Sequence, residues 1–329
     1  MSAENAHILV VDDDDRLREL LKKYLSDNGF GVTAAEDAKS ARAKMASIAF
    51  DLIVLDLMMP GETGLEFAAS IRQSSQSASK VPILMLTAMA ETDDRIPAIL
   101  LRPRGRSAQS PGPAIAIWHQ HAGQWHLGKS EPAGLAGNEM HHTGAALARE
   151  GYVVLCPDAQ CFEERQDPTK KLKGGRYERF EFLRYTVAGK CMAWKNILDM
   201  RRAIDYLVSR PEVKADRIGC YGHSMGSTHT WLVGPWEPRL CALVGNCCLP
   251  TYAGIHRTKL LHCFPNFIPG IYEHGDTPDI AALTAPRALH LNLGENDRGT
   301  PIKEAREGVK TIAKAYAEAG VPKNFTAFV

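Results

Sequence analysis

The pentapeptide Gly222-His223-Ser224-Met225-Gly226 constrains this chain more than any other stretch. A short apolar run, Arg217-Ile218-Gly219-Cys220-Tyr221, leads into it, and small residues, Ser227-Thr228-His229-Thr230, lead out at helical spacing. A strand that turns sharply into a helix brings backbone segments too close for side chains, so glycine is needed on both sides of the bend. The central serine is then held in a strained conformation that only its surroundings can maintain. The expectation is a nucleophile elbow, with the Ser224 hydroxyl presented at the edge of a sheet and the Met225 N–H aimed where an oxyanion would form.

A serine of this kind needs a base to take its proton and an acid to orient that base. Asp297 closes the segment Gly294-Glu295-Asn296-Asp297, which follows an apolar strand over 288–293, and is read as the acid; Glu295 is the second candidate. After an elbow the order is Ser, then acid, then His. The last histidine of the sequence is His290, ahead of Asp297. His290 reads as a packed strand residue and His274 as a loop histidine able to approach the site. The triad is therefore expected to be incomplete and turnover weak or absent.

The first 95 residues carry different chemistry. Strands over 7–11, 31–35, 52–55 and 81–86 alternate with helices over 16–28, 38–48 and 64–72. That alternation means a parallel, doubly wound α/β sheet, whose ligands sit at the carboxyl ends of the strands. Asp12 and Asp13 end the first strand, Asp56 the third and Thr87 the fourth. Crowded carboxylates repel, and a hard divalent cation relieves the repulsion, so Mg²⁺ is expected there. A carboxylate beside Mg²⁺ can attack a phosphoryl donor. The rest of the chain repeats the α/β pattern, with strands over 97–104, 114–118, 152–156, 217–221, 240–245, 288–293 and 324–329, and helices over 141–150, 195–210 and 302–319.

Composition narrows the function. A net charge of +1 gives no field for nucleic acid or an acidic membrane surface. No apolar stretch approaches a bilayer span, and residues 1–6 lack the apolar core of a secretory signal. Eight cysteines without framework spacing read as reduced thiols in a cytoplasmic protein.

Two resemblances follow from these motifs. The stretches ILVVDDDDRLRELLKKYL, DLIVLDLMMPGETGLE and VPILMLTAMAETDDRI resemble a response-regulator receiver domain of flavodoxin-like fold. The resemblance implies Asp56 as phosphoacceptor, Asp12, Asp13 and Asp56 around Mg²⁺, Thr87 as the switch hydroxyl and a histidine kinase as phosphodonor. It stops before the fifth strand and its Lys; no Lys occurs between Lys80 and Lys129. The stretches PAIAIWHQHAGQWHLGKSEPAG, LAREGYVVLCPDAQCFEER, DMRRAIDYLVSRPEVKADRIGCYGHSMG and LGENDRGTPI resemble an α/β-hydrolase of the dienelactone hydrolase and acetyl xylan esterase-like branch. That resemblance implies hydrolysis of a small acyl ester through an acyl-enzyme on Ser224, without a cofactor. It also implies a second oxyanion N–H at His121. The expected boundary is 1–96 against 97–329, inside both folds, as in a splice. The two incomplete sheets are expected to cover one another's edges, packed side by side or joined as one extended sheet. Phosphoacceptance through Asp56, and a fusion without function, are the alternatives.

Overall fold

The computed structural model describes residues 6–56, 59, 61–73, 80–86, 94–260, 262–297 and 299–329. The chain divides into two units, Met1–Asp94 and Arg95–Val329.

The first unit runs β1 (His7–Val11), α1 (Asp15–Asp27), β2 (Gly31–Ala35), α2 (Ala38–Met45), β3 (Leu52–Asp56), α3 (Gly64–Gln73) and β4 (Ile83–Leu86). The strands are parallel in the order β2-β1-β3-β4. Asp14 caps α1, its carboxylate accepting from the N–H groups of Arg16 and Leu17. Alternating residues along β1 and β3 bury opposite faces. Leu9, Val11, Ile53 and Leu55 pack with Ala38, Ala41, Phe67 and Ile71 of α2 and α3. Ile8, Val10 and Val54 pack with Leu21 and Leu25 of α1. A sheet covered on both faces explains the unbroken apolar runs of its strands.

The second unit runs β5 (Ala98–Leu101), β6 (Gly112–Trp118), α4 (Thr143–Arg149), β7 (Val153–Pro157), α5 (Gly175–Val187), α6 (Met192–Val208), β8 (Val213–His223), α7 (Met225–Val233), β9 (Leu240–Asn246), α8 (Tyr252–Thr258), α9 (Thr277–Ala282), β10 (Ala288–Asn292), α10 (Ile302–Glu318) and β11 (Phe325–Phe328). Its seven strands are ordered β11-β10-β9-β8-β6-β7-β5, all parallel except β5. The core lies between the sheet and its helices, with Ile197, Ile204 and Leu207 of α6 and Trp231 of α7 against Trp118, Ile218 and Leu243.

The single extended sheet anticipated from the sequence is not what forms. Among the described residues the strands make two separate sheets. The reason lies in β5, which pairs antiparallel with β7, Ala98 opposite Pro157 and Leu101 opposite Val154. It covers an edge that would otherwise be bare.

Candidate active site

The elbow is built by backbone proximity. β8 ends at His223 and α7 begins at Met225. Ser224 between them has φ 55° and ψ −115°. A positive φ on a non-glycine residue costs free energy and persists only when its neighbours hold it. Here the Ser224 N–H donates to the Asn246 carbonyl at 2.8 Å, and its own carbonyl accepts from Ser227 N–H at 2.9 Å. The flanking glycines are mandatory. A Cβ on Gly222 would lie 1.9 Å from the Gly226 carbonyl oxygen, and one on Gly226 would lie 1.9 Å from that of Trp118.

Ser224 opens into a cavity of about 530 Å³ that is also lined by His121, Trp125, Glu178, His262 and Gly299, with Arg176 and Arg179. Asp297 adjoins it through Gly299, whose N–H donates to Asp297 Oδ1 at 2.8 Å. Glu295, the other candidate acid, is exposed and pairs with Arg306 at 3.5 Å. His290 is engaged inside the sheet, with Thr326 Oγ1 at 2.7 Å and Asn292 Oδ1 at 2.9 Å. His274 is exposed after a turn of 3-10 helix.

His262 carried no signal in the sequence, because it sits in the irregular segment between α8 and α9. Its Nδ1 accepts from the Cys263 N–H at 3.0 Å, and its Nε2 lies 3.6 Å from Cys248 Sγ. Burial drives its pKa down to about 4, with Asp297 opposing the shift. Among the described residues no imidazole is hydrogen-bonded to the Ser224 hydroxyl.

A second acidic group lies beyond the elbow. Asp158, Glu163 and Glu164 bring carboxylate oxygens within 4.8 Å of one another. They enclose Lys129, whose Nζ is 2.8 Å from Asp158, 2.8 Å from Glu163 and 2.7 Å from Glu164. The ammonium supplies the positive charge a cation would otherwise bring.

In the first unit Asp12, Asp13 and Asp56 bring their oxygens within 4.8 Å of one another. Asp12 is buried, and its carboxyl is pushed up to about 6, by burial first and by the Asp56 and Asp13 charges in addition. Three hard oxygen donors, one held against its own charge, fit Mg²⁺. Thr87, read as the switch hydroxyl, lies outside the described residues.

Comparison with known proteins decides the lineage. Residues 106–249 match the dienelactone hydrolase family, and residues 8–102 match the response regulator receiver domain. The chain is 31% identical over 233 residues to "Putative hydrolase YtaP" of Bacillus subtilis, covering 69% of this chain and 74% of that protein. The chain belongs to the dienelactone hydrolase family. It also carries a receiver domain, 51% identical over 96 residues to Protein PetR of Rhodobacter capsulatus, covering 29% of this chain and 39% of that protein. The chain thus spans well under half the length of that receiver relative. A crystal structure from Bacteroides fragilis, described as a putative acetyl xylan esterase, shares the fold with a TM-score of 0.55 at 20% identity, covering 70% of this chain and 62% of the other. Residues 98–101, at the end of the receiver match, are β5 of the hydrolase sheet. Among the described residues no helix is long and apolar enough to cross a membrane.

Proposed function

We propose that the second unit hydrolyses small carboxylic esters through an acyl-enzyme on Ser224. The observation that carries this reading is the strained serine at 224, opening into a cavity of a size that holds a small ligand. Met225 N–H, at the start of α7, and the backbone N–H of His121 are the proposed oxyanion donors. Asp297 is the proposed acid of the site. A fluorophosphonate probe, which reports serine nucleophilicity without needing a particular substrate, is expected to label the chain. Ser224→Ala should remove the label altogether. Equal labelling of both proteins would refute the assignment.

A second activity is favoured by the acidic trio of the first unit. Asp12, Asp13 and Asp56 would hold Mg²⁺, and the ion would neutralise charge on an incoming phosphoryl group. The Asp56 carboxylate is the proposed phosphoacceptor, and a histidine kinase the proposed donor. Incubation with radiolabelled acetyl phosphate and Mg²⁺ should leave an acid-stable, base-labile label. Asp56→Asn and removal of Mg²⁺ by EDTA should each abolish it; a label that survives Asp56→Asn would place the acceptor elsewhere.

A further inference from the structure

His119 is 4% exposed, yet both of its ring nitrogens are engaged, and both by backbone. The Ala159 N–H reaches Nε2 at 3.0 Å. A backbone N–H can only donate, so Nε2 carries the lone pair and the ring proton sits on Nδ1. Nδ1 lies 2.8 Å from the Gln120 carbonyl oxygen, to which it donates. Burial keeps the ring neutral by holding its pKa below the ordinary range, against the opposing pull of the Gln120 bond and of Asp158 and Glu163. Phe162 packs edge-on, its ring centroid 4.9 Å from that of the imidazole.

The carbonyl that His119 grips belongs to a particular peptide. Gln120 C=O and His121 N–H are the two ends of one planar unit, which is trans and therefore points them in opposite directions. Fixing the oxygen fixes the N–H. His119 is buried, whereas His121 lines the cavity into which Ser224 opens. Trp118 and Gly222 pair in the sheet, so His121 and Ser224 follow on neighbouring strands, three and two residues beyond that pair. Among the described residues the His121 N–H has no hydrogen-bond acceptor.

We propose that His119 is a positioning residue of the oxyanion site: its Nδ1–H holds the Gln120–His121 peptide with the His121 N–H turned to the cavity. The inference rests on the reading of Ser224 as nucleophile and of the His121 N–H as an oxyanion donor. Two effects follow. The donor is preset, so it does not have to reorient as negative charge gathers. The hydrogen bond on the carbonyl also polarises the peptide, which makes its N–H a stronger donor. The ester oxygen carries that charge only in the transition state, so both effects favour the transition state over bound ester. Side chains anchor the rest of the loop. Gln120 Nε2 donates to Glu131 at 2.9 Å, and His121 Nε2 lies 3.0 Å from Glu178 Oε2. Those contacts set the place of the loop; among the described residues His119 alone bonds to the oxygen of the peptide itself.

The test follows 4-nitrophenol release by the full chain from 4-nitrophenyl acetate and from its thiono analogue, in which sulfur replaces the carbonyl oxygen. Sulfur is a weak acceptor, so the thiono ester gains little from either N–H. In His119→Asn the amide nitrogen can stand where Nδ1 does and keep the bond to the Gln120 carbonyl. In His119→Gln the amide reaches the place of Nε2 instead, and that bond is lost. His119→Gln should lower kcat/KM about 30-fold on the oxygen ester, mostly through kcat, and no more than about threefold on the thiono ester. His119→Asn should stay within about fivefold of the parent on both. Equal losses on the two esters in His119→Gln, or a larger loss on the oxygen ester in His119→Asn than in His119→Gln, confine His119 to packing and overturn the inference alone. A parent chain that releases 4-nitrophenol no faster than Ser224→Ala overturns the nucleophile and this inference together. If a variant does not fold, nitrogen NMR of the parent's imidazoles decides: His119 in the neutral Nδ1–H tautomer supports the role, and the Nε2–H tautomer refutes it.

Discussion

Gly226→Ala is expected to abolish fluorophosphonate labelling at Ser224 and to destabilise the hydrolase unit by about 3 kcal/mol or more. The added Cβ would lie 1.9 Å from the Trp118 carbonyl oxygen and 3.0 Å from that of His119. Both obstacles are backbone, so no rotamer change relieves the overlap. Either the first turn of α7 lifts away from β6, or β6 is pushed out of register with β8. Either movement carries the Met225 N–H and the Ser224 hydroxyl off their positions. Gly294→Ala is the control, since its Cβ would meet nothing nearer than 3.8 Å. All five tryptophans lie in the second unit, at 118, 125, 194, 231 and 236, so their fluorescence follows its unfolding alone. A melting temperature lower by about 6–12 °C corresponds to this penalty in a unit of that size. A Gly226→Ala protein with parental stability and labelling would mean that the elbow does not depend on close backbone approach.

The elbow was legible because its requirement is local: a tight bend needs glycine, and glycine is visible. The strands were legible for the same kind of reason. β1, β3, β6 and β7 are buried on both faces and read as continuous apolar runs. What stayed hidden is what burial decides. Glu178 lies in Arg176-Tyr177-Glu178-Arg179-Phe180-Glu181, where charged and aromatic residues alternate without an apolar stripe, so neither α5 nor the buried side of its acids could be read. His121 was read for its backbone N–H alone, because its side-chain partner is 57 residues away. The orientation of β5 was also beyond the sequence. Ala98–Leu101 looks like any short strand, and only its partner β7 makes it antiparallel.

Lys129→Met should cost the hydrolase unit about 3–5 kcal/mol at neutral pH, the usual result of removing one partner of a buried ion pair. Lys129 has a side chain only 6% exposed, and that of Asp158 is fully enclosed. Asp158 also accepts from the Lys129 backbone N–H at 2.7 Å, so the substitution removes its counter-charge but leaves its position fixed. Burial already pushes the Asp158 carboxyl above its ordinary pKa against the opposing pull of Lys129. Burial likewise pushes Glu163 up, but Lys129 and the Ser130 N–H outweigh it and hold that carboxyl below its ordinary value. Glu164 is 64% exposed and contributes little. The signs then follow. A carboxylate with a depressed pKa stabilises the fold above its unfolded pKa, and that contribution fades as pH falls; this is the part of Glu163 that depends on Lys129. Asp158 without Lys129 moves further up, so its charged form opposes folding at neutral pH and is relieved by protonation as pH falls. Both effects make the penalty of Lys129→Met shrink toward acid pH. Urea midpoints of parent and variant, followed by tryptophan fluorescence from pH 7.5 down to pH 4.5, should therefore converge. Adding Asp158→Asn to the methionine variant should recover more than half of the loss at pH 7.5, since the amide fills the same space without an unpaired charge. A penalty that is constant with pH and unmoved by Asp158→Asn would show that the methionine acts through packing, and that the three carboxylates are held by something other than this ammonium.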